Sequence, residues 1–457
     1  MGSGSKFEEI KAGLIRAVQV EKLPPGTRLP SIRALADDHG VSLETAARAV
    51  RELRQEGLVD TRPGLGTFVT GRTASAADAV TLRIASGRWN MGSLCGIFVE
   101  EATERFQTAH PDVLVEFCPD GKDADVWMTT GSYVQTQAEE GSVLALDEIM
   151  GFDRAIDTKP LAPEAMELYE RSGHVYGLPY YVSPVVVWVS RRLFKGAGVD
   201  VPGPEWDREA FIETVRRLHE LLPEGVKPFE LSPDLAHLMP WILQSGGTLE
   251  KIAAPERAGD WAFIRELASL SAPVERYGEK ADARFVEGRL AMCPWGGRFE
   301  WEVRRSGGEA PVALPYPASR RKATFLMSEA FSISSRCAQP ELALELLREL
   351  VSLESQRTLV AEDVRFPSHR DALEELLSSA ADRASLDAHW RERLHAAPDV
   401  MRLGAVRVDI ISHAVKPLWG SDEPLEDALG KAAAACGAVL ANYMEAQDGR
   451  ALARASD

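Results

Sequence analysis

The 457-residue chain has the length of about two to three domains, and its 45% content of hydrophobic residues excludes an intrinsically disordered protein. Its net charge is −17, from 52 Lys and Arg against 69 Asp and Glu, which taken as a whole argues against a nucleic-acid partner. Five scattered cysteines without a CxxC pair exclude a disulfide scaffold and are typical of reduced thiols in a cytoplasm.

The sequence also predicts no membrane anchor. No run approaches the roughly 18 apolar residues that a membrane span needs. The amino-terminal segment lacks the apolar stretch of a secretory signal. We therefore expect a cytoplasmic protein without a membrane partner.

The first predicted elements are three short helices. Residues 7–20 carry apolar side chains at the spacing of an amphipathic helix. Ser31 is a natural amino-terminal cap for a second helix that ends at Gly40, and Ser42 caps a third that ends at Gly57. The last two helices, joined by a tight turn, form the pattern of a helix-turn-helix, whose second helix fits the DNA major groove.

A glycine-punctuated hairpin follows these helices. Val59–Arg62 and Thr67–Val69 are predicted to pair as strands, with Pro63, Gly64 and Gly66 at the turn. The hairpin therefore has the form of a wing, whose thin tip can lie against a phosphate backbone. Local charge fits this interpretation, since residues 1–72 hold eleven Lys and Arg against nine Asp and Glu, whereas the rest holds 41 against 60.

We expect the DNA contacts to come from cations, from hydroxyl side chains near helix ends and from the wing. These residues are Arg28, Ser31, Arg33, Ser42, Thr45, Arg48, Arg51, Gly64, Gly66 and Thr67. The alternative interpretation of Arg33 and Arg48 is that they are solvated residues on helix faces.

Residues 24–71 resemble the winged-helix domain of GntR-type bacterial transcription regulators. The matching residues are Pro25-Gly26-Thr27-Arg28-Leu29-Pro30-Ser31, Arg33, Leu35-Ala36, Val41-Ser42, Thr45, Arg48-Ala49, Leu53, Glu56-Gly57-Leu58-Val59 and Gly64-x-Gly66-Thr67-Phe68-Val69. Many members of that family carry arginines where this chain has Leu43 and Ala47. The resemblance implies a double-stranded DNA operator. Because one recognition helix reads few base pairs, we expect a homodimer on a palindromic site.

After residue 80 the predicted elements alternate between strands and helices. The strands are predicted at 81–85, 113–117, 124–128, twice within 175–190 and at 330–334; the helices are predicted at 97–109, 206–222 and 340–352, with a mainly helical region beyond Leu353. Alternation predicts an α/β fold with parallel sheets. The length of this part favours two lobes with a cleft. The predicted domains are thus a winged helix at 1–71, a linker at 72–79 and a two-lobed unit at 80–457.

This second part resembles the bacterial extracellular solute-binding proteins that include maltose-binding protein, which have the two-lobed type II periplasmic-binding fold. The matching motifs are Phe106-x3-His110-Pro111-x-Val113-x-Val115-Glu116, Asp125-Val126, Tyr176-Gly177-Leu178-Pro179-Tyr180-Tyr181, Val187-Trp188, Leu193-Phe194, Gly198, Trp206-Asp207, Gly246-Gly247, Phe285-x2-Gly288-x2-Ala291-Met292 and Leu314-Pro315. The resemblance implies a cleft that closes over a small solute, such as a sugar or oligosaccharide.

Sugar rings present C–H faces to aromatic side chains and hydroxyls to polar ones, so residues of both kinds near strand ends are the candidates. We expect ligand contacts from Trp89, Asn90, Asp125, Tyr180, Tyr181, Trp241, Trp295, Arg298 and Glu329. Packing is the alternative for each aromatic residue, helix capping for Asp125, and a surface ion pair for Arg298 and Glu329. Trp188, Trp206, Trp261, Trp390 and Trp419 are assigned to packing.

The predicted function is a transcription regulator, such as a repressor, whose two-lobed domain senses a small molecule and modulates operator binding. No histidine spacing predicts a metal, no nucleotide-binding motif is present, and no cofactor is expected. Three alternatives stay open: a ligand other than a sugar, a dimerisation scaffold without ligand, and a pyridoxal-phosphate enzyme domain. Lys280 and Lys322 lack the surroundings that the last alternative requires, so an enzyme is not expected.

Overall fold

In a computed structural model the chain forms two compact units, Met1–Val80 and Thr81–Asp457. The structure describes residues 26–41, 43–55, 57–62, 66–70, 80–85, 94–118, 121, 123–149, 157–273, 281–297, 309–362, 365–379, 383–397 and 399–454. The predicted first helix at 7–20, the predicted linker at 72–79 and the tip of the predicted wing at 63–65 lie outside the described residues.

The described part of the first unit is a helix pair followed by a hairpin, as the sequence predicts for these residues. Its elements are α1 (Ile32–His39), α2 (Leu43–Gln55), β1 (Val59–Arg62) and β2 (Gly66–Val69). The two strands are antiparallel. Ala46, Val50 and Leu53 are buried in the core of this unit, so this face of α2 points inward. The opposite face of α2 is not part of this core.

The second unit begins with the strands and helices of one lobe. These are β3 (Val80–Ala85), α3 (Leu94–Ala109), β4 (Val113–Cys118), β5 (Val126–Thr130), α4 (Gly131–Glu139), α5 (Leu146–Ile149), α6 (Pro163–Met166), β6 (Glu170–Arg171), β7 (His174–Val175) and β8 (Leu178–Pro184). A second lobe follows. Its elements are β9 (Val186–Val189), α7 (Arg191–Ala197), α8 (Arg208–Leu221), β10 (Lys227–Leu231), α9 (Leu235–Gln244), a 3-10 turn (Pro255–Arg257), α10 (Ala258–Leu270), β11 (Ala272–Pro273), α11 (Ala281–Val286), β12 (Leu290–Trp295) and β13 (Val312–Leu314).

The chain then returns to the first lobe and ends in helices. The remaining elements are β14 (Leu326–Ile333), α12 (Pro340–Leu350), α13 (Leu353–Glu362), α14 (Arg370–Ser379), α15 (Arg383–Arg391), a 3-10 turn (Glu392–His395), α16 (Asp399–Arg402), α17 (Ala405–Gly420) and α18 (Leu425–Arg454). The predicted strands and helices of this unit are all present. Several boundaries move by two to four residues, as for β5 and β14.

Each lobe is built on a five-stranded sheet. In the first lobe the order is β4-β3-β5-β14-β8, and in the second it is β11-β10-β12-β9-β13. β3 and β5 are parallel, whereas β14 runs antiparallel to β5 and to β8. In the second lobe β9 is antiparallel to β12 and β13. The predicted parallel pairing is present in both sheets, between β3 and β5 and between β10 and its neighbours β11 and β12. The antiparallel pairs were not predicted; they arise because strands that leave or enter a lobe at the crossovers run against their neighbours.

Each sheet is covered by helices and has its own hydrophobic core. The carboxyl-terminal helices pack on the second lobe, where Leu403, Ile411 and Trp419 join its core. Trp188, Trp206, Trp261, Trp390 and Trp419 are all buried, which confirms their assignment to packing.

Three crossover segments connect the lobes, and they lie side by side. They are the segments that contain Val185, Thr324 with Phe325, and His395 with Ala397. Val185 N donates to Phe325 O at 3.0 Å, and Thr324 Oγ1 donates to Val185 O at 2.5 Å. Thr324 N donates to His395 O at 3.0 Å, and Ala397 N donates to Thr324 O at 3.0 Å. These crossover segments therefore form one hydrogen-bonded strip of main chain between the two lobes.

Candidate functional site

The helix pair of the first unit is held by the caps that the sequence predicts. Ser31 Oγ accepts from Ala34 N at 3.1 Å, which is an amino-terminal cap for α1. Gly40 and Gly57 have φ values of +58° and +68°, and these left-handed conformations end α1 and α2. The structure therefore confirms the Ser31 cap and the two glycine ends.

The outward face of α2 carries exposed cations. Arg51 is exposed, and the side chain of Arg48 is 64% exposed, with its Nε 3.4 Å from Glu52 Oε1. An exposed pair of this kind contributes under about 1 kcal/mol. The pair with Glu52 therefore adds little to the stability of α2. Thr45, on the same helix, is partly exposed.

The segment before α1 pairs with β2 through an isolated bridge between Arg28 and Phe68. Leu29 N donates to Thr67 O at 2.7 Å, and Val69 N donates to Thr27 O at 2.8 Å. The Arg28 side chain crosses Gly66, where an added Cβ would lie 2.6 Å from Arg28 Nε. Gly66 also has a φ of +118°, so both its backbone and the close approach of Arg28 require glycine. Arg28 is exposed, and its side chain lies over the end of the hairpin next to the turn.

One predicted DNA contact is corrected by this geometry. The Thr67 side chain is 6% exposed, and its hydroxyl lies 3.3 Å from the Thr61 hydroxyl. Its role is therefore to pair the two strands rather than to face a ligand. Arg28, Ser31 and Arg33 are exposed, although the Ser31 hydroxyl already caps α1. Ser42 and Gly64 lie outside the described residues.

In the two-lobed unit, polar side chains line the strands of the first lobe next to the crossovers. Ser328 Oγ donates to Tyr181 O at 2.7 Å, and Tyr169 OH donates to Ser328 Oγ at 3.1 Å. Burial raises the pKa of Tyr169 well above its ordinary value, and the nearby Glu329 carboxylate adds to the shift. Tyr169 thus stays a neutral hydrogen-bond donor.

Tyr180 belongs to the core of the first lobe. Its ring lies 5.2 Å from that of Phe98 and 5.1 Å from that of Phe331, and it is completely buried. Its hydroxyl donates to the carboxylate of Glu329, a residue that is itself buried. The prediction that Tyr180 touches a ligand was therefore wrong, because packing occupies its ring. Its hydroxyl instead orients Glu329.

The neighbouring Tyr181 is 3% exposed and has a charged partner that the sequence did not indicate. The guanidinium carbon of Arg365 lies 4.7 Å from the centre of the Tyr181 ring, within the range of a cation–π contact. The segment that carries Arg365 runs along β8, where Val182 N donates to Phe366 O at 3.1 Å. No local motif marks this segment, since its pairing is long-range.

The end of β12 brings the second lobe against the first. Trp295 pairs with Val186 at the first crossover and is partly exposed. A Cβ added to Gly296 would lie 3.1 Å from Ser183 Cβ, and one added to Gly297 would lie 2.3 Å from Trp295 Nε1. The two glycines therefore allow both the approach of the lobes and the folding of the Trp295 indole over the chain.

Two further predicted ligand residues are structural. Trp241 is 1% exposed, with ring centres of Phe211, Phe263 and Tyr316 at 5.2–5.3 Å. Its assignment to the cleft was wrong because this aromatic cluster encloses it.

The assignment of Asp125 to the cleft was also wrong. Asp125 Oδ2 accepts from Arg83 N at 2.8 Å, and Ser334 N donates to Asp125 O at 2.8 Å. Asp125 therefore ties β3 to the end of β14 at the amino end of β5, and its carboxylate is used inside the sheet. Trp89, Asn90 and Arg298 lie outside the described residues.

A cluster of charged residues links the first lobe to the carboxyl-terminal helices. Glu139 at the end of α4 pairs with Arg171 and accepts from Arg407 Nη1 at 2.7 Å. Ala405 N donates to Thr136 Oγ1 at 2.8 Å, at the start of α17. Because α17 packs on the second lobe, this cluster is a second connection between the lobes, away from the strip of crossovers. Sequence reasoning missed it.

The described residues contain no group of three or more His, Cys, Asp or Glu that is placed to bind a metal ion. None of the described helices has both the length and the apolar character that crossing a bilayer requires.

Burial raises the pKa of the Cys337 thiol to about 11, and it also raises the pKa of the Cys436 thiol to about 11.

Two mixed five-stranded sheets, joined by three adjacent crossovers, define a two-lobed solute-binding fold, and the first unit defines a winged helix-turn-helix. The chain belongs to the family described as bacterial extracellular solute-binding protein, which it matches over residues 104–383. Residues 6–69 match the bacterial regulatory proteins of the gntR family. Both resemblances inferred from the sequence are thereby confirmed.

Curated relatives align with parts of the chain. Over 64 residues it is 45% identical to the HTH-type transcriptional regulator Rv1152 of Mycobacterium tuberculosis, covering 14% of this chain and 53% of that protein. Over 226 residues it is 29% identical to the regulator Rv0792c of the same organism, covering 48% of this chain and 66% of that protein. The chain thus spans from about half to just under two thirds of the length of these relatives.

Solved structures show the fold of the larger unit. The substrate-binding protein Lmo0181 of Listeria monocytogenes, in complex with cycloalternan, has a TM-score of 0.67 at 16% identity, covering 80% of this chain and 100% of its own. The GacH receptor of Streptomyces glaucescens, solved unliganded and with acarbose, has a TM-score of 0.65 at 18% identity. The match covers 79% of this chain and 98% of that receptor. UgpB of Mycobacterium tuberculosis, in complex with glycerophosphocholine, has a TM-score of 0.67 at 16% identity. The match covers 80% of this chain and 99% of UgpB.

Proposed function

We propose that the protein is a cytoplasmic transcription regulator that binds an operator through its winged helix and a small molecule through its two-lobed unit. The observation that carries the proposal is that α2 has a buried apolar face and exposed arginines outside that face. All its inward apolar residues are buried, while Arg48 and Arg51 stand exposed on a helix that a capped turn holds in place. This is the arrangement that a major-groove helix requires.

The proposed ligand is a sugar or oligosaccharide. The support is the fold, which several similar structures share in complexes with carbohydrates, together with aromatic residues at the junction of the lobes. Tyr181, Trp295 and Glu329 are the described residues that we propose near the ligand, with Trp89, Asn90 and Arg298 as further members. The similar structure with glycerophosphocholine favours a second candidate, a polar ligand that is not a sugar.

Coupling between the two units would follow from dimerisation. Two copies on a palindromic operator present their recognition helices at a fixed spacing. A change in lobe closure that alters this spacing changes operator affinity, by a coupling of about 1–3 kcal/mol in typical cases.

DNA binding is tested with duplexes that the full-length protein selects from a random-sequence pool. Arg48→Ala is expected to lower affinity about tenfold and to reduce the dependence on salt, because one phosphate contact per subunit is lost. Arg289→Ala is the matched control, since Arg289 is an exposed arginine paired with Glu287 in the other unit. Equal losses in both variants, or failure to select any duplex, would contradict the proposal.

Ligand binding is tested by thermal shift with maltose, maltotriose, acarbose and glycerophosphocholine. A rise in melting temperature with the carbohydrates, reduced by Trp295→Ala and retained in part by Trp295→Phe, is the expected result. A shift with glycerophosphocholine alone supports the second candidate. No shift with any of the four contradicts the proposed ligand class and favours a scaffold role.

A further inference from the structure

The start of α2 carries an apolar side chain that the fold does not use. Leu43 is the first residue of this helix, and it is 51% exposed. Among the described residues of 26–70 it is the one large apolar side chain left exposed in this way. The core that the described residues form does not include it, and Leu29, Leu35 and Leu53 in that core are at most 4% exposed. Packing among the described residues therefore gives no reason for a leucine at this position.

The position of Leu43 on the helix gives a different reason. At about 100° per residue, Leu43 lies about 20° from Val50 and about 80° from Arg51 around the axis of α2. It therefore lies at the amino end of α2, between the inward face and the exposed Arg51. Ala47, one turn after Leu43, is only partly buried. α2 thus has an exposed apolar side chain at its amino end and exposed cations further along.

The chemistry of the major groove restricts what such a start can recognise. The amino-terminal residues of a recognition helix reach base edges, whereas cations further along meet phosphates or guanine. A leucine has no hydrogen bond to offer to purine N7, O6 or N6 atoms. The apolar group that the major groove presents is the 5-methyl group of thymine.

We propose that Leu43 is a specificity-determining residue that packs against a thymine methyl group, so that each half-site of the operator carries thymine beneath the amino end of α2. This inference rests on the proposed function, in which α2 is the helix that enters the major groove. It adds a chemical identity for one operator position.

The test uses the full-length protein and duplexes that it selects from a random-sequence pool. Each thymine of the selected sequence is replaced in turn by deoxyuridine, which removes only the methyl group. At one position per half-site the affinity is expected to fall about three- to fivefold, the effect of one buried methyl group. In Leu43→Ala the same replacement is expected to have less than half of this effect.

Arg48→Ala provides the matched control. It is expected to weaken binding to all duplexes while leaving the deoxyuridine effect intact, because a phosphate contact does not sense the methyl group. Because the Leu43 side chain is exposed, the unfolding midpoint of Leu43→Ala is expected to equal that of the unsubstituted protein.

Failure of this inference is separate from failure of the proposed function. Selection of a specific duplex whose affinity is insensitive to deoxyuridine at every position would overturn the role of Leu43 and leave DNA binding in place. A methyl effect that is equal in the unsubstituted protein and Leu43→Ala would also overturn it. If no duplex is selected, both the proposed function and this inference fall.

Discussion

Two arginines on α2 and two in the two-lobed unit show different uses of this side chain. Arg48 and Arg51 on α2 are exposed, and the pairing of Arg48 with Glu52 at 3.4 Å is long. In the two-lobed unit Arg171 is buried against Glu139, and Arg208 lies 2.8 Å from the buried Asp260. An exposed ion pair contributes little to stability, whereas a buried pair is part of the fold. The location of a charge therefore says more about function here than the net charge of −17.

The largest expected effect tests the core of the two-lobed unit. Trp241→Ala removes a ring that three aromatic side chains enclose, and it is expected to lower the free energy of unfolding by about 3–5 kcal/mol. Leu221→Ala is the control, since Leu221 is 52% exposed and its loss is expected to stay within about 0.5 kcal/mol. Urea unfolding followed by fluorescence measures both. A small loss of unfolding free energy in Trp241→Ala would contradict the packing role of Trp241 and favour its original assignment to the cleft.

The next effect tests the contrast between buried and exposed pairs directly. Glu139→Gln leaves the Arg171 guanidinium buried without its carboxylate, and a loss of about 2–3 kcal/mol is expected. Arg407→Ala leaves the pair of Glu139 and Arg171 in place and is expected to cost about 1 kcal/mol. Glu52→Gln, in the exposed pair on α2, is expected to change stability by less than about 0.5 kcal/mol. Equal losses of stability in Glu139→Gln and Glu52→Gln would contradict the proposed difference between the buried and the exposed ion pair.

A smaller effect is expected in the hairpin of the winged unit. Gly66→Ala forces a side chain into a φ of +118° and against the Arg28 guanidinium, at a cost of about 1–2 kcal/mol. Amide exchange of the β1–β2 peptides is expected to accelerate about tenfold. Gly430→Ala, at a helical position where nothing lies within 4 Å, is the control and should leave these peptides unchanged. Unaltered exchange in Gly66→Ala would contradict the close approach of Arg28.

The smallest effect concerns pH and is confined to the two-lobed unit. Burial lowers the pKa of His237 below its ordinary value of 6.5, with Asp234 opposing the shift. The unfolded chain therefore binds this proton more readily, so the stability contribution is present above pH 6.5 and is lost as the pH falls below it. In His237→Leu the free energy of unfolding should fall less steeply between about pH 8 and about pH 5. An identical slope in both proteins would contradict the buried neutral histidine.

Local features of this fold were predictable because their causes are local. The Ser31 cap, the left-handed Gly40 and Gly57, and the inward spacing of α2 all depend on neighbours within one or two turns. The alternation of strands and helices in the second unit was predictable for the same reason. The antiparallel direction of the strands at the crossovers was not predictable, since it depends on the path of the chain between the lobes.

The site was less predictable because its contacts join distant parts of the chain. Asp125 precedes a strand, but it lies at the amino end of β5 rather than at the end that leads into α4. Tyr180 and Trp241 have the right chemistry for a sugar, but tertiary packing occupies their rings. Arg365 beside Tyr181 and Arg407 beside Glu139 have no sequence signal, since each partner is more than a hundred residues away.

The strip of three crossovers has a consequence for how the protein would respond to proteolysis. Because each lobe is entered or left three times through neighbouring hydrogen-bonded segments, a single cut in one of them leaves two covalent connections. Such a nick would appear on a denaturing gel as two fragments, while under native conditions the fragments would migrate together as one particle.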